Sequence, residues 1–201
     1  MTSAPRLTAD QALQRLLDGN ERFVTHRERY PDRGHEVRLR LAGGQRPFAV
    51  VLGCADSRVP PELLFDEGLG DLFVIRNAGN IVDGIVLASI EYGVAQLGAS
   101  LVMVLGHERC GVLTAAVAVA RGGKDVDGHQ WNLIDAVRPA LDGVADDSAD
   151  VVDDAVRAHV AIQVEQLRRS DPIVSRAVTR GDVRVVGARY DIDRGRVEVL
   201  T

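Results

Sequence analysis

The chain has two cysteines, and both stand among residues able to do chemistry. Cys54-Ala-Asp-Ser-Arg58 puts a carboxylate two positions and a guanidinium four positions after the first sulfur. His107-Glu-Arg-Cys110 puts an imidazole three positions before the second. Two thiolates and one imidazole are a tetrahedral zinc site that is one ligand short. Structural zinc sites are closed by four protein ligands, whereas catalytic ones keep a position for water or substrate. Cys54, His107 and Cys110 therefore read as the ligands of one catalytic zinc ion per subunit. The alternative, a disulfide, leaves His107 without a purpose and needs an oxidising compartment. Met1-Thr-Ser-Ala-Pro-Arg6 has no charged-then-apolar export pattern.

The charge balance of such a site constrains its chemistry. Two thiolates cancel the charge of the dication. They acidify bound water less than the three histidines that bring it to a pKa of about 7, so activity is expected to favour alkaline pH. His107 needs an acceptor for its second ring nitrogen, and the sequence does not identify it. Asp56 has two readings. It can complete the zinc sphere and close the site. It can instead pair with Arg58, since a carboxylate and a guanidinium can bond bidentately, and so leave the fourth position to water.

Bulk properties bound the rest. The 201 residues suit one domain, with 1–47 as a helical arm and linker and 48–201 as a zinc-binding core. A net charge of −5 gives no footprint for nucleic acid or an anionic membrane. No apolar run approaches the roughly 20 residues a spanning helix needs. A cytoplasmic protein is expected.

The elements that must position the site follow from periodicity and turn signals. Thr8-Ala-Asp-Gln11 is a capping-box pattern, and Leu13, Leu16, Leu17 and Phe23 recur at helical spacing after it. A helix is predicted from Ala9 to Phe23, then a polar linker with a short helix over 36–41. Short apolar runs at 48–53, 72–76 and 101–105 predict buried strands. Between them, helices are predicted from Pro60-Pro61, from Asp83 to Leu97 and from Gly111 to Arg121. Further helices are predicted over 131–141 and 151–169, and one from an Asp171 cap with Pro172 in the first turn. Strands are predicted at 183–190 and 197–200. Alternating strands and helices make an α/β fold: about four mostly parallel strands, an antiparallel edge strand, and helices on both faces. Cys54 and His107 lie 53 positions apart (107 − 54). Each follows a strand, so they can meet outside the carboxyl ends of the sheet, where open α/β sheets bind ligands.

C-x-D-x-R followed by H-x-x-C closely resembles the β-class carbonic anhydrases. Gly70-Asp-Leu-Phe-Val-Ile-Arg-Asn-Ala-Gly-Asn80 and Ser89-Ile-Glu-Tyr92 are similar to that family's signatures. The resemblance implies zinc on Cys54, His107 and Cys110, and a catalytic Asp56–Arg58 dyad beside it. Asp56 is a metal ligand only in a closed resting form. It implies reversible hydration of carbon dioxide to bicarbonate and a proton, by zinc-bound hydroxide that the dyad orients. Gln45, Phe73 and Tyr92 match substrate-binding positions. The family's cleft lies at a dimer interface, so a homodimer is implied, or a dimer of dimers, with some of these residues serving the partner's zinc. Without the resemblance, Phe73 and Tyr92 would read as core and Gln45 as a solvated loop residue. Arg76 and Asn77 read as structural donors at a strand end. His26, His35, His129 and His159 lack metal spacing. Val112 stands where many members have a second glycine, which would narrow the pocket. Two other readings fit the same residues: a carbon disulfide or carbonyl sulfide hydrolase on the same scaffold, and a closed, non-catalytic zinc module.

Overall fold

The computed structural model describes residues 6–31, 34–145 and 147–201. The first helix, α1 (Ala9–Val24), opens with the reciprocal capping box expected of Thr8 and Gln11. Its apolar stripe, Ala12, Leu13 and Leu16, is buried. Asn20 pins the helix to the core of the same chain. Its amide donates to the Leu64 and Gly195 carbonyls at 3.1 and 2.9 Å, and its oxygen accepts from Val197 N at 2.8 Å.

The other helices are α2 (His35–Leu41), α3 (Pro61–Leu64), α4 (Gly84–Ala95), α5 (Gly111–Ala120), α6 (Gln130–Val137), α7 (Val151–Arg168) and α8 (Val174–Thr179). The strands are β1 (Ala49–Cys54), β2 (Leu72–Asn77), β3 (Leu101–His107), β4 (Arg184–Asp191) and β5 (Arg196–Val199). They form one sheet in the order β2-β1-β3-β4-β5, with β5 antiparallel to β4 and every other pairing parallel. This is the expected α/β architecture. Every residue of β1 and β3 is buried, as central parallel strands covered on both faces must be.

Two apolar layers cover the sheet, and side-chain alternation along each strand divides them. Val51, Met103 and Val186 face one layer, with Leu16 and Leu113. Val50, Leu52, Val102 and Val104 face the other, with Ile90 and Val164. α7 lies very close to β3 and β4. A Cβ at Gly106 or Gly187 would come within 2.6 Å of a Val160 methyl carbon, so both positions need glycine for the helix to seat.

The chain runs from β1 outward to β2, then crosses back to place β3 on the other side of β1. That reversal is the switch point at which α/β sheets open a crevice. Cys54 ends β1 and His107 ends β3, so the topology alone brings two of the three proposed ligands together.

Three details differ from the sequence reading. β1 and β3 continue through Cys54 and His107, so both side chains stand on strands rather than after them. The predicted 131–141 helix is α6 followed by a 3-10 turn at Arg138–Leu141, where Pro139 lacks an N–H to continue the α ladder. Asp171 does not cap α8, whose N-cap is Ile173. The Asp171 carboxylate is taken by the Ser175 hydroxyl at 3.1 Å instead of by backbone N–H groups.

Candidate metal centre

Cys54, His107 and Cys110 are buried, and their ligand atoms all lie within 4.8 Å of one another. That encloses the separation of roughly 3.5–3.8 Å implied by Zn–S bonds of about 2.3 Å and Zn–N bonds of about 2.0 Å in a tetrahedron. His107 is 0% exposed. Its Nδ1 lies 2.8 Å from the Glu108 carbonyl oxygen, which only accepts, so Nδ1 carries the proton. That carbonyl is the acceptor the sequence did not identify. Nε2 is left as a bare lone pair, and it is a buried nitrogen with no hydrogen-bond partner. A buried acceptor without a partner is costly, and a cation beside two sulfurs satisfies it. The residues fit zinc.

The two sulfurs are electrostatically unlike. Cys110 hydrogen-bonds Cys54, which pulls the Cys54 thiol far below its ordinary range and pushes the Cys110 thiol up. A dication allows both to ionise. Cys110 sits at the N-cap of α5, where the helix dipole favours a thiolate.

Asp56 faces Arg58. The guanidinium donates through Nε to Oδ1 at 3.0 Å and through Nη2 to Oδ2 at 2.7 Å, and Arg58 N adds a bond to Oδ1 at 2.9 Å. These bonds hold the Asp56 carboxyl down to about 2. Arg76 braces the segment from behind, donating to the Cys54 and Asp56 carbonyls at 2.8 and 2.6 Å. Asn77 ties the next loop through two bonds to Ile81, at 2.7 and 2.8 Å. Both act as the strand-end donors expected of them.

The loop between His107 and Cys110 is anchored on its outer side. Glu108 pairs with Arg189 and accepts from Ile192 N at 3.0 Å, while Arg109 forks onto Asp193 at 2.9 and 2.7 Å. Nothing in the sequence marked Arg189 or Asp193 as partners of this loop, because they lie more than 80 positions away.

A cleft of about 360 Å³ opens beside Cys54 and Asp56. Ala78, Val112, Ala115, Val126, Leu133 and Ile134 make its wall apolar, and Gln130 adds one polar group. Val112 enters this wall, as its position after Cys110 led one to expect. The wall from α6 went unread because those residues are ordinary helix formers. A larger cleft of about 520 Å³ lies between α1 and the 66–71 loop. It is lined by mutually paired ions such as Arg15–Glu67 and Arg22–Asp66 and has no part in the metal chemistry.

Gln45, Phe73 and Tyr92 are not brought to this cleft within one chain. Phe73 registers with Val50 and Asn77 with Cys54, so Phe73 lies four residues, about 13 Å, back along the strand. It packs with Tyr92 of α4, ring centroids 6.0 Å apart. Tyr92 is 49% exposed. Gln45 is exposed in the connection between α2 and β1.

A family model described as carbonic anhydrase matches residues 49–197. Carbonic anhydrase 2 of Mycobacterium tuberculosis is 40% identical over 192 residues, covering 96% of this chain and 93% of its own. One of two tetrameric β-carbonic anhydrases of the ascomycete Sordaria macrospora superposes with a TM-score of 0.72 at 29% identity, covering 81% of this chain and 85% of that one. A Coccomyxa β-carbonic anhydrase solved with acetazolamide superposes with a TM-score of 0.70 at 34% identity, covering 81% and 75%.

Proposed function

The chain belongs to the β-class carbonic anhydrases, enzymes of reversible carbon dioxide hydration, and we propose that it catalyses this reaction with one zinc ion on Cys54, His107 and Cys110. The observation that carries the proposal is the pairing of a buried, bare His107 Nε2 with an Asp56 carboxylate turned fully to Arg58. The first asks for a cation. The second is the open arrangement, in which Asp56 is not spent as a ligand.

Zinc bound there would supply Lewis acidity and a water-derived nucleophile near neutral pH. The rest is the work of the chain. Asp56, ionised at any working pH, accepts the nucleophile's proton in a hydrogen bond and aims its lone pair at the substrate. Arg58 holds Asp56 in that orientation and keeps it off the metal. The apolar wall of Ala78, Val112 and Leu133 receives carbon dioxide, which is small and has no net charge. Oxygen bonds to carbon, one C=O bond becomes C–O⁻, and bicarbonate leaves. A proton passes to buffer, completing CO₂ + H₂O → HCO₃⁻ + H⁺.

Gln45, Phe73 and Tyr92 of the partner subunit complete the cleft, with Gln45 donating to the substrate oxygen as negative charge grows. Two features support a homodimer. The substrate-binding candidates lie too far along the sheet to serve their own zinc. The α4 helix carries only Ser89 and Glu91 as polar side chains, and it leaves Ile85 78% and Tyr92 49% exposed, an apolar surface that a second chain would cover. Pairing of dimers into a tetramer is the next level of assembly. No described helix is long and apolar enough to cross a membrane. Two unpaired metal-binding thiols suit the reducing cytoplasm.

The relatives favour neither the sulfur-analogue hydrolase nor the non-catalytic zinc module. Stopped-flow hydration of carbon dioxide, with metal analysis on the same sample, tests the proposal. Turnover with about one zinc per chain is expected. Folded, zinc-free protein with full turnover would overturn it.

A further inference from the structure

A polar stripe on α7 reaches the loop that follows β2. His159 Nε2 lies 2.8 Å from the Gly79 carbonyl oxygen. Gln163 accepts from Val82 N at 2.7 Å, and Gln166 donates to the Val82 carbonyl at 3.2 Å. The three residues are spaced by four and three, so they share one face of the helix. His159 is 1% exposed and belongs to no pairing the mechanism uses. Because a carbonyl oxygen only accepts, Nε2 carries a proton. Burial pushes the imidazole pKa down.

Gly79 is held from two sides. Its carbonyl accepts a hydrogen bond from His159 Nε2, and its own N–H points at the Cys54 sulfur at 3.4 Å. The residue has φ 82°, a conformation that suits glycine. A Cβ there would also approach Val112 to 3.3 Å. The loop therefore turns sharply to bring one backbone donor onto a metal-ligating sulfur. Asn77 and Ile81 close the loop at its ends, and His159 anchors its middle.

We propose that His159 is a positioning residue of the metal centre: through the Gly79 carbonyl it fixes the Gly79 N–H on the Cys54 sulfur, and so sets how much charge that thiolate lends to the metal. An N–H donor withdraws density from a thiolate and orients its lone pairs. Outer partners of metal ligands are typically worth 10- to 100-fold in metal affinity or activity. The proposal rests on the zinc reading above. Wild-type holoenzyme tests that reading separately, since it must contain zinc before any variant is compared.

The test uses holoenzyme of wild type, His159→Leu, His159→Gln and Gln163→Leu. The readouts are zinc release to an excess of chelator and the thiolate-to-metal charge-transfer band after cobalt substitution. His159→Leu is expected to release zinc roughly 10- to 100-fold faster and to move the cobalt band. His159→Gln, which keeps an N–H donor of similar reach, is expected to restore both towards wild type. Gln163→Leu removes an equally buried anchor that holds Val82, not Gly79. It is expected to lower thermal stability and leave the band in place. Should His159→Leu fail to fold, His159→Asn, whose amide is too short to reach Gly79, takes its place against His159→Gln. Wild-type zinc release and an unmoved band in the folded donor-less variant would overturn the proposal. So would a band shift in Gln163→Leu as large as in His159→Leu.

Discussion

Arg58 grips both oxygens of Asp56 in parallel, at 3.0 and 2.7 Å, and its Nη2 also reaches the Arg109 carbonyl at 3.5 Å. The dyad is thus tied to the loop that joins His107 to Cys110. Asp56→Ala is expected to retain about one zinc per chain and lose turnover by about 100-fold or more, the usual worth of a positioned proton acceptor. Arg58→Ala is expected to do similar damage by freeing Asp56 to turn to the metal. Full turnover in Asp56→Ala at about pH 8.5 would remove the dyad from the mechanism.

The depressed Asp56 carboxyl, at about 2, has a consequence for pH dependence. A carboxylate so depressed stays ionised through the whole neutral range, so a rise in turnover from about pH 6 to 9 must come from the nucleophile. Asp56→Asn is expected to lower the profile about 100-fold while keeping its midpoint within roughly half a unit. Loss of the rise itself in this variant would assign that limb to Asp56. A wild-type profile that falls from about pH 7 to 9 would contradict the two-thiolate argument.

Metal binding and folding are expected to be linked. Cys54→Ser, Cys110→Ser and His107→Ala each remove one of three ligands and should leave almost no zinc after dialysis. A ligand present at about 1,000 times its Kd stabilises a fold by ~4 kcal/mol. For a chain of this length that is a fall in Tm of roughly 8–16 °C on chelation. Calorimetry with and without chelator measures it, and an unchanged Tm would argue against zinc at this position.

Complementation tests the site's two-chain composition. A heterodimer of Gln45→Ala with Asp56→Ala has one intact site and one doubly defective site if Gln45 serves the partner's metal. It should therefore show roughly half the wild-type turnover. If both residues serve the same chain's metal, each site carries one defect and no activity returns. Differentially tagged co-expression isolates the heterodimer.

Asp66 joins the first helix to the core. Burial pushes its carboxyl up, but bonds from Arg29 N, the Arg22 guanidinium and Tyr30 N, at 2.9, 2.6 and 3.2 Å, bring it below the ordinary value. A depressed carboxylate contributes stability above its unfolded pKa of about 3.9 and loses it as pH falls through the folded value. Asp66→Asn is expected to cost about 1–3 kcal/mol near pH 7, with the gap from wild type narrowing below about pH 4. Thermal melts across that range measure it, and a gap that widens in acid would be the wrong sign.

The helix opening at Thr8 was readable because a capping box is a local bond pattern. The four parallel strands were readable as short apolar runs between turn signals, and the antiparallel β5 as the alternating Val197-Glu-Val199 after a turn. The failed cap at Asp171 shows the limit of local chemistry: the same carboxylate had a competing hydroxyl four residues on. The cleft wall on α6 gave no signal, because Leu133 and Ile134 look the same whether they face a core or a substrate.

By itself, the sequence determined the fold class and named the proposed donor set. Zinc accepts few ligand types, and Cys54, His107 and Cys110 are of those types, with His107 only three positions from Cys110. Only the tertiary structure decided which way each group faces. It gave His107 its acceptor at Glu108, turned Asp56 to Arg58, and laid His159 against Gly79. It also set Phe73 four residues from the metal end of the sheet. Each of these depends on sheet register, on a side-chain rotamer, or on a helix seated some 80 residues away. Those are decided by how the whole chain packs, which no local pattern encodes.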